Sequence, residues 1–257
     1  MIQKRTTAYT VQNVNNAVEL LEALAESPAG LTLPQLAEIV GQNRNKTFRL
    51  LATLCEKGLV ERDTATGAYC LGIYSVALAQ KLLKNSSVVN YAHPIMEELV
   101  RRHHEAVYMT VIKDDEVLFV DMVDCDQNIK TEPMLGKKFP FFTNAAGKVM
   151  KALDSRDLLE KMFKKKGRKG GYPDMDRLAS ELTDIRARGV AIDSGGLGEG
   201  IISVAVAVRD YAGKVVGAIT LIGPSFRMLA ERLENEIIPS MLEGGELLSE
   251  KFGYARA

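Results

Sequence analysis

The stretch GQNRNKTFRLLATL, residues 41–54, decides the fold of the amino-terminal part of the chain. Its first turns carry cations interleaved with asparagines and no acidic residue, and a leucine-rich tail follows. In chain order these polar residues are Asn43, Arg44, Asn45, Lys46 and Arg49. At about 100° per residue, Thr47 and the leucines share one side of a helix, and most of the polar set lies opposite. We expect a short helix that packs through its leucines and presents cations and amides outward.

The segments around this helix predict a winged helix-turn-helix. Residues 11–27 form an amphipathic helix whose expected apolar stripe is Val14, Val18, Leu21 and Ala25. Thr32 is the expected N-cap of a second, short helix that ends at Gly41. After the third helix, GLVERDTATGAYCLG (58–72) contains two short strands around a polar turn.

A helix with this outward chemistry suits the major groove of DNA. Arg and Lys can bind guanine acceptors, Asn can bind adenine, and each good bidentate contact discriminates by ~1–3 kcal/mol. Arg62, next to the turn of the hairpin, is placed to reach the neighbouring phosphates. A solvated helix face would also account for the cluster, since the first 75 residues carry seven basic and seven acidic side chains. The order of the surrounding elements favours DNA binding.

Composition limits the remaining functions. Lys and Arg total 33 of the 257 residues, as do Asp and Glu, so the bulk charge indicates no partner. The amino terminus lacks the apolar segment of a secretion signal, and no apolar run approaches the ~18 residues of a membrane span. Cys55, Cys70 and Cys125 are scattered and odd in number, which fits reduced thiols in a cytoplasmic protein.

The rest of the chain predicts a helix followed by an α/β domain. Residues 71–85 are helical in pattern, and NSSVVN (85–90) then breaks the helix; the segment either packs on its own domain or also contacts a second subunit. A short helix at HPIMEELVRRHHE (93–105) precedes two strands around a DDE turn. Helices follow near 145–153, 155–165 and 175–188, and then the strands IISVAVAVRD and KVVGAITLIG. A last amphipathic stretch, 225–252, is expected to bend at Pro239 and at its glycine pair. A central antiparallel sheet flanked by helices fits this order of helices and strands.

No pattern indicates catalysis or a resident metal. His103 and His104 are adjacent, so on a helix they diverge by about 100° and cannot chelate one ion together. Asp121, Asp124 and Asp126 fit a polar rim better than a cation site. Nucleophile-elbow and phosphate-loop motifs are absent, and GGLGEG (195–200) precedes a strand without a following lysine. The basic run FKKKGRKGGYPD (163–174) is expected to be a solvated loop. We expect no cofactor.

TNAAGK, residues 143–148, is the strongest local feature of the second half. Small residues lead directly into a helix, so the amides of Ala145, Ala146 and Gly147 can point at a ligand. Unpaired amides and the helix dipole favour an anion such as a carboxylate there. A tight turn that lets the helix approach a sheet explains the same residues equally well.

With these motifs in place, the sequence resembles the IclR family of bacterial transcription regulators over most of its length. The resemblance rests on the joint order of six segments: VNNAVELLEALAES, LTLPQLAEIVGQNRNKTFRLLATLCEKGLVERD, GAYCLG, GKKFPFFTNAAGKVMKAL, LASELTDIRARGVAID and GKVVGAITLIGP. It implies an α+β, two-domain protein with a winged helix-turn-helix at 1–71, a linker helix at 72–90 and a GAF-like α/β effector-binding domain at 91–257.

The resemblance also implies positions for DNA contact. The recognition helix of the family falls on Arg44, Asn45, Lys46, Thr47 and Arg49. Lys46 stands where the family more often has a small hydroxyl residue, so the operator preference can differ from that of relatives.

For the effector, the resemblance implies that the loop Asn144–Gly147 surrounds a small organic acid together with residues on later strands. Those residues are Asp193, Ser203, Thr220 and Ile222. Here Gly195–Gly196 replaces the acidic pair of the family, Ser203 replaces a cysteine, and Ile222 replaces a serine. Fewer polar contacts suggest a carboxylate with an aromatic or short acyl body. Its apolar lining could come from Phe119, Met122, Met134 and Phe141, each of which would serve equally as core.

The sequence and the resemblance therefore predict a DNA-binding regulator that a small carboxylate controls, and a repressor is the commoner outcome in the family. The resemblance also implies homodimers or dimers of dimers, which would present two recognition helices to double-stranded operator DNA, with no membrane involved. The alternative is an enzyme that acts on a small acid and carries a helical interaction domain. It would need a nucleophile and base near Ser203 and Asp193, and no histidine is close to them in sequence.

Overall fold

The computed structural model describes residues 11–84, 87–113, 115–154 and 175–255. The chain divides into two compact units, Met1–Asn85 and Ser86–Ala257. The division falls inside the segment predicted as a linker helix, 72–90, and residues 85–86 of that segment lie outside the described residues. The helix before the division belongs to the first unit, and the helix after it belongs to the second.

The first unit is a winged helix-turn-helix, as predicted. Its elements are α1 (Gln12–Ala25), α2 (Leu33–Ile39), α3 (Arg44–Glu56), β1 (Val60–Arg62), β2 (Tyr69–Leu71) and α4 (Ile73–Lys84). Thr32 is the N-cap of α2, and its amide donates to Gln35 Oε1 at 2.9 Å. Asn43 caps α3, because its Oδ1 accepts from Lys46 N at 2.9 Å. These caps satisfy amides that a helix start leaves unpaired, so they fix where both helices begin.

The core of the first unit corrects the expected packing face of α1. Leu20 and Leu24 are 0% and 3% exposed, whereas Val14 and Val18 are 61% and 47% exposed. The helix carries two apolar stripes, and only the stripe with the leucines packs against α2, α3 and the hairpin. The valine stripe is left at the surface of the protomer.

The second unit is built on a six-stranded antiparallel sheet in the order β5-β4-β3-β8-β7-β6, as the predicted α/β layering requires. Its strands are β3 (Ala106–Lys113), β4 (Glu116–Val123), β5 (Lys138–Pro140), β6 (Val190–Ser194), β7 (Ile201–Arg209) and β8 (Val215–Pro224). Its helices are α5 (Ser87–His103), α6 (Ala145–Leu153), α7 (Met175–Arg188) and α8 (Ile238–Lys251). A 3₁₀ turn, Phe141–Thr143, leads into α6, and a helical turn and a π turn, Ala230–Arg232 and Leu233–Ile237, lead into α8.

Helices cover both faces of this sheet. On one face, α6 and α7 pack on a cluster that includes Tyr108, Phe119, Phe141, Val149 and Ile222; we call it the α6 face. On the other face, α5 and α8 pack on a cluster that includes Met96, Leu99, Ile219, Leu221 and Met241. The alternation of β8 side chains between the two clusters follows from strand geometry.

Two helices differ from their predicted extents. α5 begins at Ser87 rather than at His93, so residues 87–90, which were expected to break a helix, form its first turn. α8 begins with Pro239 in its first turn and runs without interruption through Gly244 and Gly245. The glycines allow close packing: a Cβ on Gly245 would lie 2.8 Å from Val206 Cγ2. Strand β5 was not predicted, and β6 was implied only by the family position of Asp193. The helix expected at 155–165 and the basic loop at 163–174 lie outside the described residues.

Candidate functional site

The first candidate site is the start of α3, where four predicted residues form one exposed surface. Arg44, Asn45, Lys46 and Arg49 are all exposed. The buried side of α3, with Leu51 and Leu54, packs on the unit's core and turns these polar side chains to solvent. We name this set the α3 surface.

Thr47 does not belong to the α3 surface. It is fully buried, and its hydroxyl donates to Asn43 O at 3.2 Å. Helical phase places Thr47 with the leucines, and its methyl group therefore joins the packed side. The expected side-chain contact of Thr47 with DNA is wrong in this conformation.

Arg62 lies at the end of β1, beside a hydrogen-bonded turn. It is exposed, and its guanidinium carbon is 5.6 Å from the centre of the Tyr69 ring. In the turn, Asp63 Oδ1 accepts from Ala65 N at 2.7 Å, and this backbone bond is the main cause that lowers the pKa of Asp63. Asp63 is therefore an anion at physiological pH, and it lies next to Arg62.

The second candidate site surrounds the start of α6. Asn144 is fully buried and caps the helix: its Oδ1 accepts from Gly147 N at 2.9 Å, and its Nδ2 donates to Pro140 O at 3.1 Å. Ala145 N lies 3.4 Å from Ser203 Oγ, a long hydrogen bond to β7. Ala146 N then has no hydrogen-bond acceptor among the residues that the structure describes.

Gly147 has a packing role, so the expectation that it offers a free amide is wrong. Its amide is used by the Asn144 cap. A Cβ on Gly147 would lie 2.2 Å from Phe141 O, so only glycine lets α6 approach the preceding turn this closely. The tight-turn explanation holds for Gly147, and a ligand contact at the amides of Ala145 and Ala146 stays a prediction.

An ion-pair network lies beside these amides, and sequence reasoning missed its central residue. Lys148 Nζ donates to Asp193 Oδ2 at 2.6 Å and to Glu181 Oε1 at 2.8 Å, which ties α6 to β6 and α7. Burial lowers the pKa of Lys148, but the bonds to Asp193 and Glu181 raise it by more, so the net pKa lies above its usual range. The signal was available in AAGKVM, because a lysine among small and apolar residues of a buried helix requires a counter-ion.

Asp193 is consequently not a free carboxylate. Besides the bond to Lys148, its Oδ1 accepts from Gly196 N at 3.0 Å. A Cβ on Gly196 would lie 1.7 Å from Thr143 O, so this loop leaves no room for the acidic side chain that the family has there. Gly195 is at φ +86°, a conformation that favours glycine.

The other predicted effector residues meet on the α6 face. Asp193 pairs with Ser203, Ser203 pairs with Ile222, and all three lie on neighbouring strands. Ser203, Thr220 and Ile222 are each at most 1% exposed. Thr220 Oγ1 has no hydrogen-bond partner among the described residues. The assignment of these residues to a ligand stays a prediction.

The expected apolar lining is part of the same packed region. Phe119, Met134 and Phe141 are buried in the cluster of the α6 face, and Met122 is partly buried against it. These side chains serve as core in this conformation.

The remaining candidates are either paired with other side chains or buried. His93 Nδ1 lies 2.7 Å from Asp121 Oδ2, and Asp124 bonds to Lys130. His103 is buried, and burial, followed by Arg232 and Arg102, lowers its pKa. Among the described residues, no three His, Cys, Asp or Glu side chains form a group that could hold a metal, and no helix is long and apolar enough to cross a membrane.

Comparison with known proteins identifies the class of the chain. The family model of the IclR helix-turn-helix domain matches residues 14–64, and that of the C-terminal domain of the bacterial transcriptional regulator IclR matches residues 80–250. The transcriptional repressor IclR of Escherichia coli strain K12 is 27% identical over 229 residues, which cover 87% of this chain and 84% of that protein. The acetate operon repressor of Salmonella typhimurium is 26% identical over 230 residues, covering 87% and 84%.

Solved structures agree on the fold. An IclR transcriptional regulator from Alicyclobacillus acidocaldarius has a TM-score of 0.84 at 23% identity over 95% of this chain and 100% of that one. An IclR homologue from Microbacterium hydrocarbonoxydans, complexed with 4-hydroxybenzoate, has a TM-score of 0.78 at 19% identity over 94% and 99%. The relatives are named as regulators and repressors rather than enzymes. The chain belongs to the IclR family of bacterial transcriptional regulators.

Proposed function

We propose that the chain represses transcription by binding operator DNA as a dimer and that a small carboxylate ligand weakens this binding. The observation that carries the proposal is the α3 surface, four exposed polar side chains on a helix whose other side is packed. Arg44, Lys46 and Arg49 supply guanine and phosphate contacts, and Asn45 supplies an adenine contact. Arg62 binds the phosphate backbone beside the groove.

The proposal of a dimer is supported by apolar side chains that the protomer leaves exposed. They are Val11, the N-cap of α1, then Val14 and Val18 on α1, and Ile73, Tyr74, Val76 and Leu78 on α4, and each is at least 46% exposed. A soluble monomer rarely exposes so many apolar side chains on two helices, so we assign them to contacts with a second copy. Two-fold symmetry then places two α3 helices about 34 Å, or a multiple of that distance, apart along DNA.

The proposal of a carboxylate ligand is supported by the start of α6. Ala146 N is available as a donor, the helix dipole favours an anion there, and Ser203 is adjacent. Lys148 lies two residues further along the helix and places a positive charge beside the carboxylates of Asp193 and Glu181. The 4-hydroxybenzoate complex of the Microbacterium homologue makes aromatic carboxylates sensible first probes.

The test of the DNA proposal is fluorescence anisotropy with duplex DNA from upstream of the chain's own coding sequence. Arg49→Ala removes a contact worth ~1–3 kcal/mol, so we expect Kd to rise by roughly 5- to 150-fold. Lys57→Ala is the matched control, because Lys57 is an exposed cation at the opposite end of α3. Equal, small effects of both variants at every salt concentration would exclude α3 as the recognition helix.

The ligand proposal is tested in the same assay with small carboxylates added. An effector that couples by ~1–3 kcal/mol changes operator affinity by about 5- to 150-fold. We expect the affinity to fall. A rise would make the ligand a co-repressor, and unchanged affinity with every carboxylate that binds would refute effector control.

A further inference from the structure

Two hydroxyl groups on the α6 face are buried without a partner. Tyr108 Oη and Thr220 Oγ1 are the two hydroxyl oxygens in this position among the described residues, and both side chains are 0% exposed. A buried hydroxyl without a hydrogen bond loses its hydration and gains nothing in return. A pair of such groups in one region of the core therefore indicates a missing polar partner.

The two hydroxyls are neighbours in the sheet. Tyr108 on β3 pairs directly with Thr220 on β8, and Thr220 in turn pairs with Ala205 on β7, two residues from Ser203. Tyr108 belongs to the cluster of the α6 face, and Thr220 lies between Ala218 and Ile222, which are both in that cluster. A diagonal polar row thus crosses one face of the sheet from Ser203 through Thr220 to Tyr108, over two strand spacings and two residues along the strand, or about 12 Å.

The environment of Tyr108 selects the kind of partner. Its ring makes an edge contact with Phe119 at 5.3 Å between centroids, and Met134 is buried in the same cluster. Burial raises the pKa of Tyr108, and the nearby Met134 amide and Thr131 side chain lower it by less. Neither group lies in hydrogen-bonding geometry with Tyr108 Oη. The phenol is therefore neutral. A charged group beside it would lose hydration among apolar side chains, whereas a neutral oxygen would be satisfied.

We propose that Tyr108 and Thr220 form a second polar subsite of the effector pocket, which binds a hydroxyl or carbonyl oxygen at the end of the ligand remote from its carboxylate. This inference rests on the proposed function, because the carboxylate end is assigned to Ala146 and Ser203. It adds Tyr108 as a specificity-determining residue and narrows the effector to a hydroxylated or oxo carboxylic acid with an apolar middle. A water held between the two hydroxyls is the competing occupant.

The test uses pairs of acids that differ by one hydroxyl group. The probes are benzoate with 4-hydroxybenzoate, 3-phenylpropanoate with 3-(4-hydroxyphenyl)propanoate, and butanoate with 4-hydroxybutanoate. Affinities for the full chain are measured by calorimetric titration, with Tyr108→Phe as the variant and Tyr211→Phe as the control, since Tyr211 is 82% exposed. We expect the wild type and the control to prefer at least one hydroxylated acid by roughly 5- to 10-fold, and Tyr108→Phe to lose that preference while keeping affinity for the unhydroxylated acid.

The outcomes separate this inference from the proposed function. Binding without hydroxyl preference, or a preference that survives in Tyr108→Phe, overturns the subsite and leaves the carboxylate effector standing. Failure of every acid to bind overturns the carboxylate effector and the subsite together. Melting temperatures of the ligand-free proteins provide a second readout. We expect Tyr108→Phe to match or exceed wild type, and a clearly lower value without any change in preference would assign the hydroxyl to a structural water.

Discussion

Replacing Lys148 with methionine should destabilise the second unit strongly, because it leaves two carboxylates without their shared counter-ion. The Lys148 and Asp193 side chains are 9% and 11% exposed, and Glu181 is 36% exposed. Removing one partner of a buried ion pair costs ~3–5 kcal/mol. Since Glu181 can turn to solvent and Asp193 keeps the bond from Gly196 N, we expect the lower end, about 3 kcal/mol.

This loss can be measured by thermal unfolding of the full chain. For a unit of this size, ~2–4 °C per kcal/mol predicts a melting temperature lower by about 6–12 °C. Lys151→Met is the matched control on the same helix: its partner Asp115 is 46% exposed, so we expect less than ~1 kcal/mol. In a double-mutant cycle, Asp193→Asn should recover ~1–3 kcal/mol of the Lys148→Met effect.

The pH at which the effect appears follows from the pKa of Lys148. Its folded pKa is raised, so its contribution is complete below the unfolded value of ~10.4 and is lost as pH rises through the folded value. The difference between wild type and Lys148→Met should therefore be constant across neutral pH. If Lys148→Met destabilises no more than Lys151→Met at neutral pH, the network does not hold α6 on β6 and α7.

Two further predictions concern the other face of the sheet. Burial depresses the pKa of His103 in the folded protein, so its neutral form contributes stability above the unfolded pKa of ~6.5, and that stability is lost as the pH falls below this value. In urea titrations, His103→Leu should flatten this dependence of the unfolding free energy on acid pH. The control variant His104→Asn, at an exposed neighbour, should leave the dependence unchanged. Gly245→Ala places a Cβ 2.8 Å from Val206 Cγ2 and should lower the free energy of unfolding, measured by calorimetry, by ~1–3 kcal/mol. If a second substitution, Val206→Ala, restores this stability, the overlap is verified. If it does not, the overlap is disproved.

The winged helix could be predicted from the sequence because its signals are local. Asn43 and Thr32 mark helix starts by their own side chains, and the cations and leucines of α3 separate at helical spacing. The hairpin β3–β4 was likewise predictable, since its two apolar runs flank one short polar turn. Such features depend on residues within a few positions of each other.

Features that depend on distant partners were missed. Which apolar stripe of α1 is buried depends on α2, α3 and the hairpin, so Val14 could not be told from Leu20 by periodicity. Gly245 was expected to bend its helix, and its role in close packing depends on Val206, which is distant in sequence. The partners of Lys148 are 33 and 45 residues away in sequence, and the unpartnered hydroxyls of Tyr108 and Thr220 are visible only after the strands are paired.

The central claim is that two copies of the α3 surface enter the major groove of one operator at positions one or two helical turns apart. Hydroxyl-radical footprinting of the upstream duplex tests it most directly. The account predicts two protected patches related by two-fold symmetry, one or two helical turns apart, that disappear in Arg49→Ala and persist in Lys57→Ala. A single patch, or paired patches that Arg49→Ala leaves intact, would contradict it.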